Sequence, residues 1–367
     1  MMNNNQKQIA GNNSQQQQAT TINNYHLGIT EERARTIFYE LFNTQRKYLT
    51  QEAYNTALER ISQFEKDLMP KISHIEGALE AFTDPGFQIQ LAKAHRAAAS
   101  SGREEDYKML SELIKYKIEN PHNRIIFSNI SQSIEIVDKV DSSALCALAI
   151  VYTFYNLINQ KSNLNELLED FDKLLEKISY ILLPTDSMWI EHLASLNLVR
   201  IGSGLEKFTS PIEYLHNKYD GFVCTGIKID SKEHTQAMNI LAESNIYLDC
   251  FVKNDFLDDY IRINTVSYSS IDKLIVYYQQ DGQLIERRVN ENEVKAFQEI
   301  WKLYKEDAEL LKTVKKKFDT LIAQKDNITK AIDFINSIKL AFTTTVVGTT
   351  IVHCFIRQFD NTVPVFQ

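Results

Sequence analysis

Glycine and proline are scarce in this sequence, since its 367 residues include only 11 Gly and 6 Pro. Both residue types mark tight turns, bulges and the ends of helices, so long stretches of the chain run without a breaker. Such stretches favour helices over a sheet of many short strands. We therefore expect a mainly α fold, in a chain long enough for about two domains.

Cysteine is equally scarce, and its four positions are far apart with no C-x-x-C pair. The four are Cys146, Cys224, Cys250 and Cys354. Cys146 lies in an apolar stretch, where a thiol packs as a small hydrophobic group. The eight histidines include no pair spaced i, i+4, which removes the simplest helical metal site. We expect buried, reduced thiols in place of a metal or redox site, and no cofactor.

The common catalytic and phosphate-binding motifs are also missing. The sequence has no G-x-x-x-x-G-K-[ST], no strand-linked G-x-G-x-x-G, no G-x-S-x-G and no H-E-x-x-H. Gly202-Ser203-Gly204 is half of a phosphate loop, and a lone G-x-G more often marks a simple turn. No catalytic residue can be assigned. We expect a protein that is not an enzyme, and an enzyme of unrecognised type remains an alternative.

Positive charge is in deficit, with a net charge of −8 and a pI near 5.6. This balance argues against nucleic acid as the main partner. The N-terminus has no apolar region of the kind found in secretory signals. The expected compartment is the cytoplasm.

Among the features that are present, the segment Ser142–Ile158 is apolar on every side of a helix. A helix of this kind must be buried all round. Asp141 precedes it and is suited to cap its N-terminus. The uninterrupted apolar part has 12 residues, short of the roughly 20 needed to span a bilayer. We predict that this segment is the central helix of a helical core.

Apolar spacing and breakers divide the chain into four predicted segments. These are a polar arm at 1–28, a helical core domain at 29–183, a small α+β middle segment at 184–288 and a C-terminal helical region at 289–367. In the core domain, Thr30 is suited to cap a first helix that continues past Tyr48, and a second helix is expected to end before Pro70. Short strands are expected at Leu198–Ile201, Tyr247–Val252 and Leu274–Tyr278.

The polar arm contains 13 Asn or Gln among its first 24 residues. Alone, such a segment buries too little to stay ordered, which makes a disordered tail one interpretation. Amide side chains can also ladder between copies paired as strands, which makes an assembly arm the other. The candidate oligomerisation residues are Ile9, Gly11, Ser14, Gln18 and Ile22.

A second unusual segment, Leu340–Ile356, runs for 17 residues without a formal charge. Its length lies at the lower edge of what spans a membrane, but five threonines, Gly348 and His353 suit a spanning helix poorly. We predict a buried terminal helix or strand in which Gly348 is held against another element. Insertion into a membrane is the alternative.

Polar side chains cluster around Gly102, where two helices are expected to meet. They are His95, Arg96, Arg103, Glu104 and Asp106. An acid/base role would need a cleft and shifted pKa values. We predict an interhelical hydrogen-bond network.

Five short segments, spread over most of the chain, form a recognisable combination of motifs. They are Gly11–Gln18; Ser101-Gly102; Ser133–Ile136 with Lys139-Val140; Tyr219, Gly221, Phe222 and Gly226; and Thr345, Val347, Gly348, Ile351 and His353. Together they resemble an uncharacterised bacterial family whose members often occur near phage-defence genes. Gly102, Gly348 and His353 match its structural motifs. Ser131-Gln132 stands where the family has Asn-Glu, which puts a role for that pair in doubt.

The resemblance implies a cytosolic, defence-related protein and no catalytic residue. Our leading hypothesis is a non-enzymatic assembly or sensor protein, a homo-oligomer joined by its arm that also binds a protein partner. The alternative is a membrane-acting effector that inserts residues 340–356.

Overall fold

A computed structural model describes residues 29–44, 49–120, 123–157, 161–203, 207–244, 246, 250–280, 283–304, 307–360 and 363. The predicted arm at 1–28 lies outside these residues. The candidate oligomerisation residues therefore lie outside them too, as does Gly204 of the G-x-G turn.

The first half of the chain folds as consecutive helices. They are α1 (Glu31–Asn43), α2 (Gln51–Ile72), α3 (Pro85–Ser100), α4 (Glu104–Glu119), α5 (Arg124–Ile136), α6 (Ser142–Asn156) and α7 (Leu164–Ile178). Side-chain oxygens of Thr30, Thr50, Asp84, Asn123, Asp141 and Asn163 each accept from a backbone N–H of the first turn. These caps satisfy donors that have no partner inside the helix. The predicted cap at Thr30 is confirmed.

The second half mixes helices with short strands. The helices are α8 (Met188–Ser195), α9 (Pro211–Lys218), α10 (Lys232–Glu243), α11 (Glu291–Trp301), α12 (Ala308–Ala323), α13 (Asp326–Ser337) and α14 (Val346–Arg357). The strands are β1 (Val199–Ile201), β2 (Ile227–Lys228), β3 (Phe251–Lys253), β4 (Tyr260–Ile263), β5 (Ile275–Gln280), β6 (Gln283–Arg288) and β7 (Phe342–Thr344). The predicted mainly α fold with a small α+β middle segment is confirmed.

Helix α6 is the central helix that the apolar pattern predicts. All residues from Ala144 to Phe154 are buried, and Asp141 Oδ1 accepts from the backbone N–H of Ala144 at 3.0 Å. The helix packs against α7, α8, α13 and α14, which explains why it has no polar face. Its position makes it the scaffold on which the later helices dock.

Two predicted helix ends are wrong. Helix α1 ends at Asn43 and does not continue past Tyr48, and α2 passes through Pro70 to Ile72. Pro70 lies in the last turn of α2 on its exposed face, and the exposed Lys66 carries the carbonyl that the proline ring displaces. That carbonyl can therefore turn to water, while Met69 and Ile72 hold the last turn by burial.

The C-terminal apolar segment forms β7 and α14. Strand β7 pairs antiparallel with β1, placing Val199 opposite Thr344, and α14 packs against α4, α5 and α6. A Cβ on Gly348 would overlap the carbonyl oxygen of Leu198, so the predicted close contact is present. The predicted buried terminal helix or strand is confirmed. None of the described helices combines the length and apolar character needed to cross a bilayer.

The remaining strands form a small unit beside the helical body. Strands β2, β4 and β3 make an antiparallel sheet in that order, and β5 pairs with β6 as a hairpin. The sheet and helices α10 and α11 enclose a second hydrophobic cluster that includes Ile227, Leu241, Ile263 and Phe297. The main cluster draws on all three predicted segments after the arm. The boundaries at 183 and 288 stay a prediction.

Candidate functional site

A recess lies along the contact between α4 and α14, and we call it the α4–α14 recess. It is lined by Glu112, Tyr116 and Glu119 from α4 and by Thr350, His353, Cys354 and Arg357 from α14. The spacings of four and three residues along each helix place each set on one face. The recess is narrow, with a volume of about 20 Å³, and His353 is only 6% exposed.

The recess is continuous with a wider depression, which we call the outer groove. The two share Glu112 and Arg357, and the outer groove has a volume of about 560 Å³. It is also lined by charged residues of α2 and α4 and by aromatic rings near the end of α14, Tyr180 and Phe359. Arg357 therefore stands where the recess opens into the outer groove.

Local sequence explains why these side chains face one another. The hydroxyl of Thr345 accepts from the backbone N–H of Gly348 at 3.0 Å and starts α14 directly after β7. The apolar residues of α14 then bury against α5 and α6, which leaves Thr350, His353 and Arg357 turned toward α4. Arg357 is in the last turn, where the negative end of the helix dipole favours a cation.

Most charges around the recess are paired within the chain. Lys71 Nζ lies 2.8 Å from an Asp67 oxygen and 3.1 Å from a Glu112 oxygen. Lys115 Nζ lies 3.7 Å from Glu119. Arg357 differs, because its Nε is buried without a hydrogen-bond partner among the described residues. A buried guanidinium donor with no acceptor is costly, so Arg357 is the exception in this site.

The thiol of Cys354 does not have the properties of a nucleophile. Burial raises the pKa of Cys354 to about 12, and the nearby carboxylate of Glu112 acts in the same direction. The thiol is therefore neutral at physiological pH, whereas attack requires a thiolate. Within the described ranges, no three His, Cys, Asp or Glu side chains are grouped so that they could hold a metal ion.

The chain was compared with known protein families, curated proteins and solved structures. A family model covers residues 28–363, which includes the recess and nearly all of the described chain. The chain belongs to this uncharacterised family. The search of curated proteins and the search of solved structures each found no match.

The three residues that the sequence resemblance singles out as structural motifs lie in different places. His353 lines the recess, and Gly348 sits one turn earlier on α14 against Leu198. Gly102 lies in the turn between α3 and α4, where a Cβ would meet the end of Arg60 at 3.5 Å. Arg60 donates to the Ala99 carbonyl at 2.7 Å and so satisfies the end of α3. Gly102 thus belongs to the entry into α4, outside the recess.

Of the five side chains predicted to form a polar network near Gly102, Arg103 and Asp106 do so, whereas Glu104 pairs with Lys108 of its own helix. Arg103 pairs with Asp106 at 2.9 Å and donates to the Val140 carbonyl at 2.7 Å. Burial raises the pKa of Asp106, and hydrogen bonds from Ser101 and Arg103 partly offset that effect. This part of the prediction is confirmed: the network ties α4 to the turn before α6.

The inclusion of His95 in that network is wrong. Its ring lies 4.3 Å from the ring of Phe38, and Phe42 and Phe64 are also close. Neither ring nitrogen has a hydrogen-bond partner in the described part of the chain. Burial lowers the pKa of His95 to about 3, so the ring is neutral and packs as an aromatic group. The sequence placed His95 near Arg103, but the helix turns it toward α1 and α2.

The motif around Tyr219 has a packing role. A Cβ on Gly221 would overlap the Thr265 carbonyl oxygen, and one on Gly226 would overlap that of Ile261. Gly226 also has φ +71°, which disfavours any other residue. Phe222 lies under the guanidinium of Arg262 at 4.3 Å. These residues join the small sheet to the body and do not reach the recess.

Sequence reasoning missed Arg357 as a site residue. In the sequence, Arg357 is only the first charged residue after the uncharged segment 340–356. The available signal was its spacing of four residues from His353, which puts both on one helical face. The residues Glu112, Tyr116 and Glu119 gave no comparable signal, because nothing in the chain marks them as neighbours of α14.

Proposed function

We propose that the protein is a non-enzymatic sensor that assembles into a homo-oligomer and acts in anti-phage defence. In this proposal the α4–α14 recess and outer groove recognise a partner, and the N-terminal arm joins copies. The observation that carries it is the buried Nε of Arg357, which has no hydrogen-bond partner among the described residues and lies at the junction of the two cavities. An unpaired donor in a cavity favours binding of a group that supplies the missing acceptor.

The surroundings of Arg357 support recognition over catalysis. The neutral thiol of Cys354 offers no nucleophile, and Glu112 is held by Lys71. Helix α14 packs directly on α6, so a ligand in the outer groove that contacts Arg357 would touch a helix that packs on the central helix. A ligand that binds only the folded state raises the stability of the protein by mass action. This gain in stability would signal that the ligand is bound.

The composition of the arm supports assembly. Its 13 Asn or Gln in 24 residues carry neither the charge of an extended tail nor the apolar area for docking on the body. Copies of the arm can pair as strands and ladder their amides. Each pairing is weak, so the body must hold several arms at high effective concentration.

Light scattering on three proteins tests this proposal. The proteins are the full chain, a variant lacking residues 1–24, and a control in which those residues are replaced by a Gly/Ser sequence of equal length. We expect an oligomer for the full chain and a lower mass for both variants, with unchanged helical signal and melting. Equal masses for all three, or a monomer throughout, would overturn arm-mediated assembly.

A membrane-acting effector is a second candidate, because residues 340–356 carry no formal charge. In this mechanism α14 would have to leave its contacts with α4, α5 and α6. Dye release from anionic liposomes tests it. Release by the full chain that is lost in Val346→Asp, a change at an exposed position of α14 that leaves the fold normal before vesicles are added, would favour the effector over the sensor.

A further inference from the structure

Strand β5 lies at an open edge of its sheet, which we call the β5 edge. It pairs with β6, and no third strand of the described chain joins this hairpin. The backbone N–H of Val289 donates to the Leu274 carbonyl at 3.0 Å, which fixes the order of the hydrogen bonds along the two strands. In this order the backbone groups of Val276 face β6, whereas those of Ile275 and Tyr277 point away from it. The β5 edge therefore presents N–H and C=O groups to a further strand.

The β5 edge lacks the features that keep exposed edges from pairing. Proteins protect such edges with charged residues, proline or a bulge. The six residues of β5, IVYYQQ, include no charge and no proline, and they pair with β6 without a bulge. Ile275 is 56% exposed and Tyr277 is 37% exposed. Strand β6 differs, because it carries Glu286, Arg287 and Arg288. One edge of the hairpin is thus charged, and the other is open to pairing.

A second copy of β5 matches this edge. Two copies of a strand related by a two-fold axis run antiparallel, and each contributes the same residues to the contact. An axis at Val276 places Ile275 of each copy opposite Tyr277 of the other. An aromatic side chain opposite a β-branched one is a favourable cross-strand pair. Because the strand has no charge, its pairing with itself brings no like charges together.

The charges on β6 favour the same register. Within the hairpin, Tyr277 lies opposite Glu286, and Ile275 lies opposite Arg288. Opposite residues share a face of the sheet. With the axis at Val276, each row across the two hairpins has glutamate at one end and arginine at the other. An axis at Tyr277 would instead give one row with glutamate at both ends, which is less favourable.

We infer that the β5 edges of two copies pair and join the two hairpins into one four-stranded sheet, an inference that rests on the homo-oligomer proposed above. A two-fold contact of this kind closes on itself, so its product is a dimer. The dimer also supplies what arm pairing requires, because it brings two arms to a high effective concentration. Arms of different dimers can then extend the assembly.

Cysteine cross-linking on the full chain tests the contact and its register. The four native cysteines are buried, so cysteines introduced at the edge are the accessible ones. The variants are Ile275→Cys and Tyr277→Cys, each alone and as a mixture that has exchanged subunits, with diamide as the oxidant. Opposite residues have Cα atoms about 5.5 Å apart, which a disulfide spans, whereas diagonal neighbours lie roughly 7–8 Å apart. We expect a covalent dimer from the mixture and little from either variant alone. A mixture of Glu286→Cys with Tyr277→Cys is the control and should give none.

Light scattering tests whether the β5 edge holds the copies together. Residues 1–24 are replaced by the Gly/Ser sequence described above, so that the arm does not contribute, and we expect a dimer. Adding Tyr277→Lys puts a charge on the edge and should halve the mass. Glu286→Lys adds the same residue to the other strand of the hairpin and should leave the mass unchanged. Helical signal and melting check the fold, and the cross-link decides the matter if Tyr277→Lys is unstable.

A monomer after arm replacement, equal masses for Tyr277→Lys and its control, or no covalent dimer from the mixture would each overturn the inference. A covalent dimer from Tyr277→Cys alone, with none from the mixture, would overturn the register at Val276. The two proposals fail separately. A dimer whose mass does not depend on the arm supports the β5 edge and overturns arm-mediated assembly, whereas a full-chain oligomer that becomes a monomer after arm replacement does the reverse.

Discussion

Gly348 illustrates how a single missing side chain can determine a packing arrangement. In a helix, alanine is ordinarily about 1 kcal/mol more favourable than glycine. At this position a Cβ would overlap the carbonyl oxygen of Leu198, which is fixed by a hydrogen bond from the Thr345 N–H at 3.0 Å. We expect Gly348→Ala to lower the free energy of unfolding by about 1–3 kcal/mol, measured by urea denaturation.

Gly102→Ala is the matched control. The nearest atom to its added Cβ is the flexible end of Arg60, at an ordinary contact distance of 3.5 Å. We expect the free energy of unfolding to change little. An equal loss in both variants would mean that the close approach of α14 to β1 is not what requires Gly348.

His95 has a consequence for stability at low pH. Burial lowers the pKa of His95 to about 3, whereas the unfolded chain keeps the ordinary value of 6.5. Between these values the unfolded chain binds a proton that the folded chain does not. Stability from this residue is therefore complete above pH 6.5 and is lost as the pH falls toward 3. The expected loss at pH 5 is about 2 kcal/mol.

Urea denaturation at pH 7.5 and pH 5 measures this loss. We expect His95→Leu to remove about 2 kcal/mol of the difference between the two pH values, because leucine fills the aromatic pocket without a titrating group. His74→Gln is the control, since His74 is exposed. A pH dependence that persists unchanged in His95→Leu would show that other groups cause the acid sensitivity.

At the scale of single residues, the sequence predicted roles that depend on local spacing. Asp141 and Thr30 were identified as caps because a cap acts within four residues. Arg357 could not be identified in this way. Arg357 stands out because no described residue places a hydrogen-bond acceptor next to its buried Nε. The folded structure determines which acceptors lie nearby, and a sequence pattern does not show it.

At the scale of elements, α6 was predictable because its apolar residues cover the whole circumference. The structure leaves no water-accessible face at Ala149, which is fully buried. We expect Ala149→Asp to cost at least about 3 kcal/mol, since it places an unpaired charge in the core. The measurement is the yield of soluble protein with a cooperative thermal transition.

Asn156→Asp introduces the same residue at an exposed position of α6 and serves as the control. We expect only a small loss there, from a negative charge near the C-terminal end of the helix dipole. If Ala149→Asp folded and melted like this control, the assignment of α6 as the central helix would be wrong.

The C-terminal end of helix α2 shows why a rule based on local sequence can misplace the end of a helix. Proline normally ends a helix because its ring displaces the carbonyl four residues earlier. At Pro70 that carbonyl belongs to the exposed Lys66, and the buried Met69 and Ile72 keep the last turn in place. Tertiary packing therefore overrides the local preference, and packing cannot be read from the local sequence.

At the scale of the whole molecule, the recess brings together α4 and α14, which are separated by most of the chain. A sequence can indicate that each helix has polar residues on one face, but it does not state which helices are neighbours. The contact arises because β7 pairs with β1 and thereby directs α14 into the core beside α6. The site was therefore beyond sequence reasoning, although His353 was singled out.

Arg262 lies at the junction between the two hydrophobic clusters of the molecule. Arg262 is 2% exposed and lies over Phe222 of the main cluster, while the next residue, Ile263, belongs to the second cluster. The guanidinium pairs with Asp255 at 2.7 Å. Arg262 thus joins the small α+β unit to the helical body through its cation–π contact with Phe222, and the ion pair with Asp255 holds the guanidinium in place.

We expect Arg262→Met to uncouple the two clusters while leaving each one formed. Methionine fills much of the same volume but makes neither the ion pair nor the cation–π contact. Amide hydrogen exchange in α10 and α11 should accelerate, whereas exchange in α6 and α14 should stay slow, because local opening of the small unit becomes easier. Lys302→Met is the control, as its ion pair with Glu299 is exposed and should not affect exchange in either cluster. Equal acceleration in α6 and α11 would show instead that the chain opens as one unit and that Arg262 stabilises it globally.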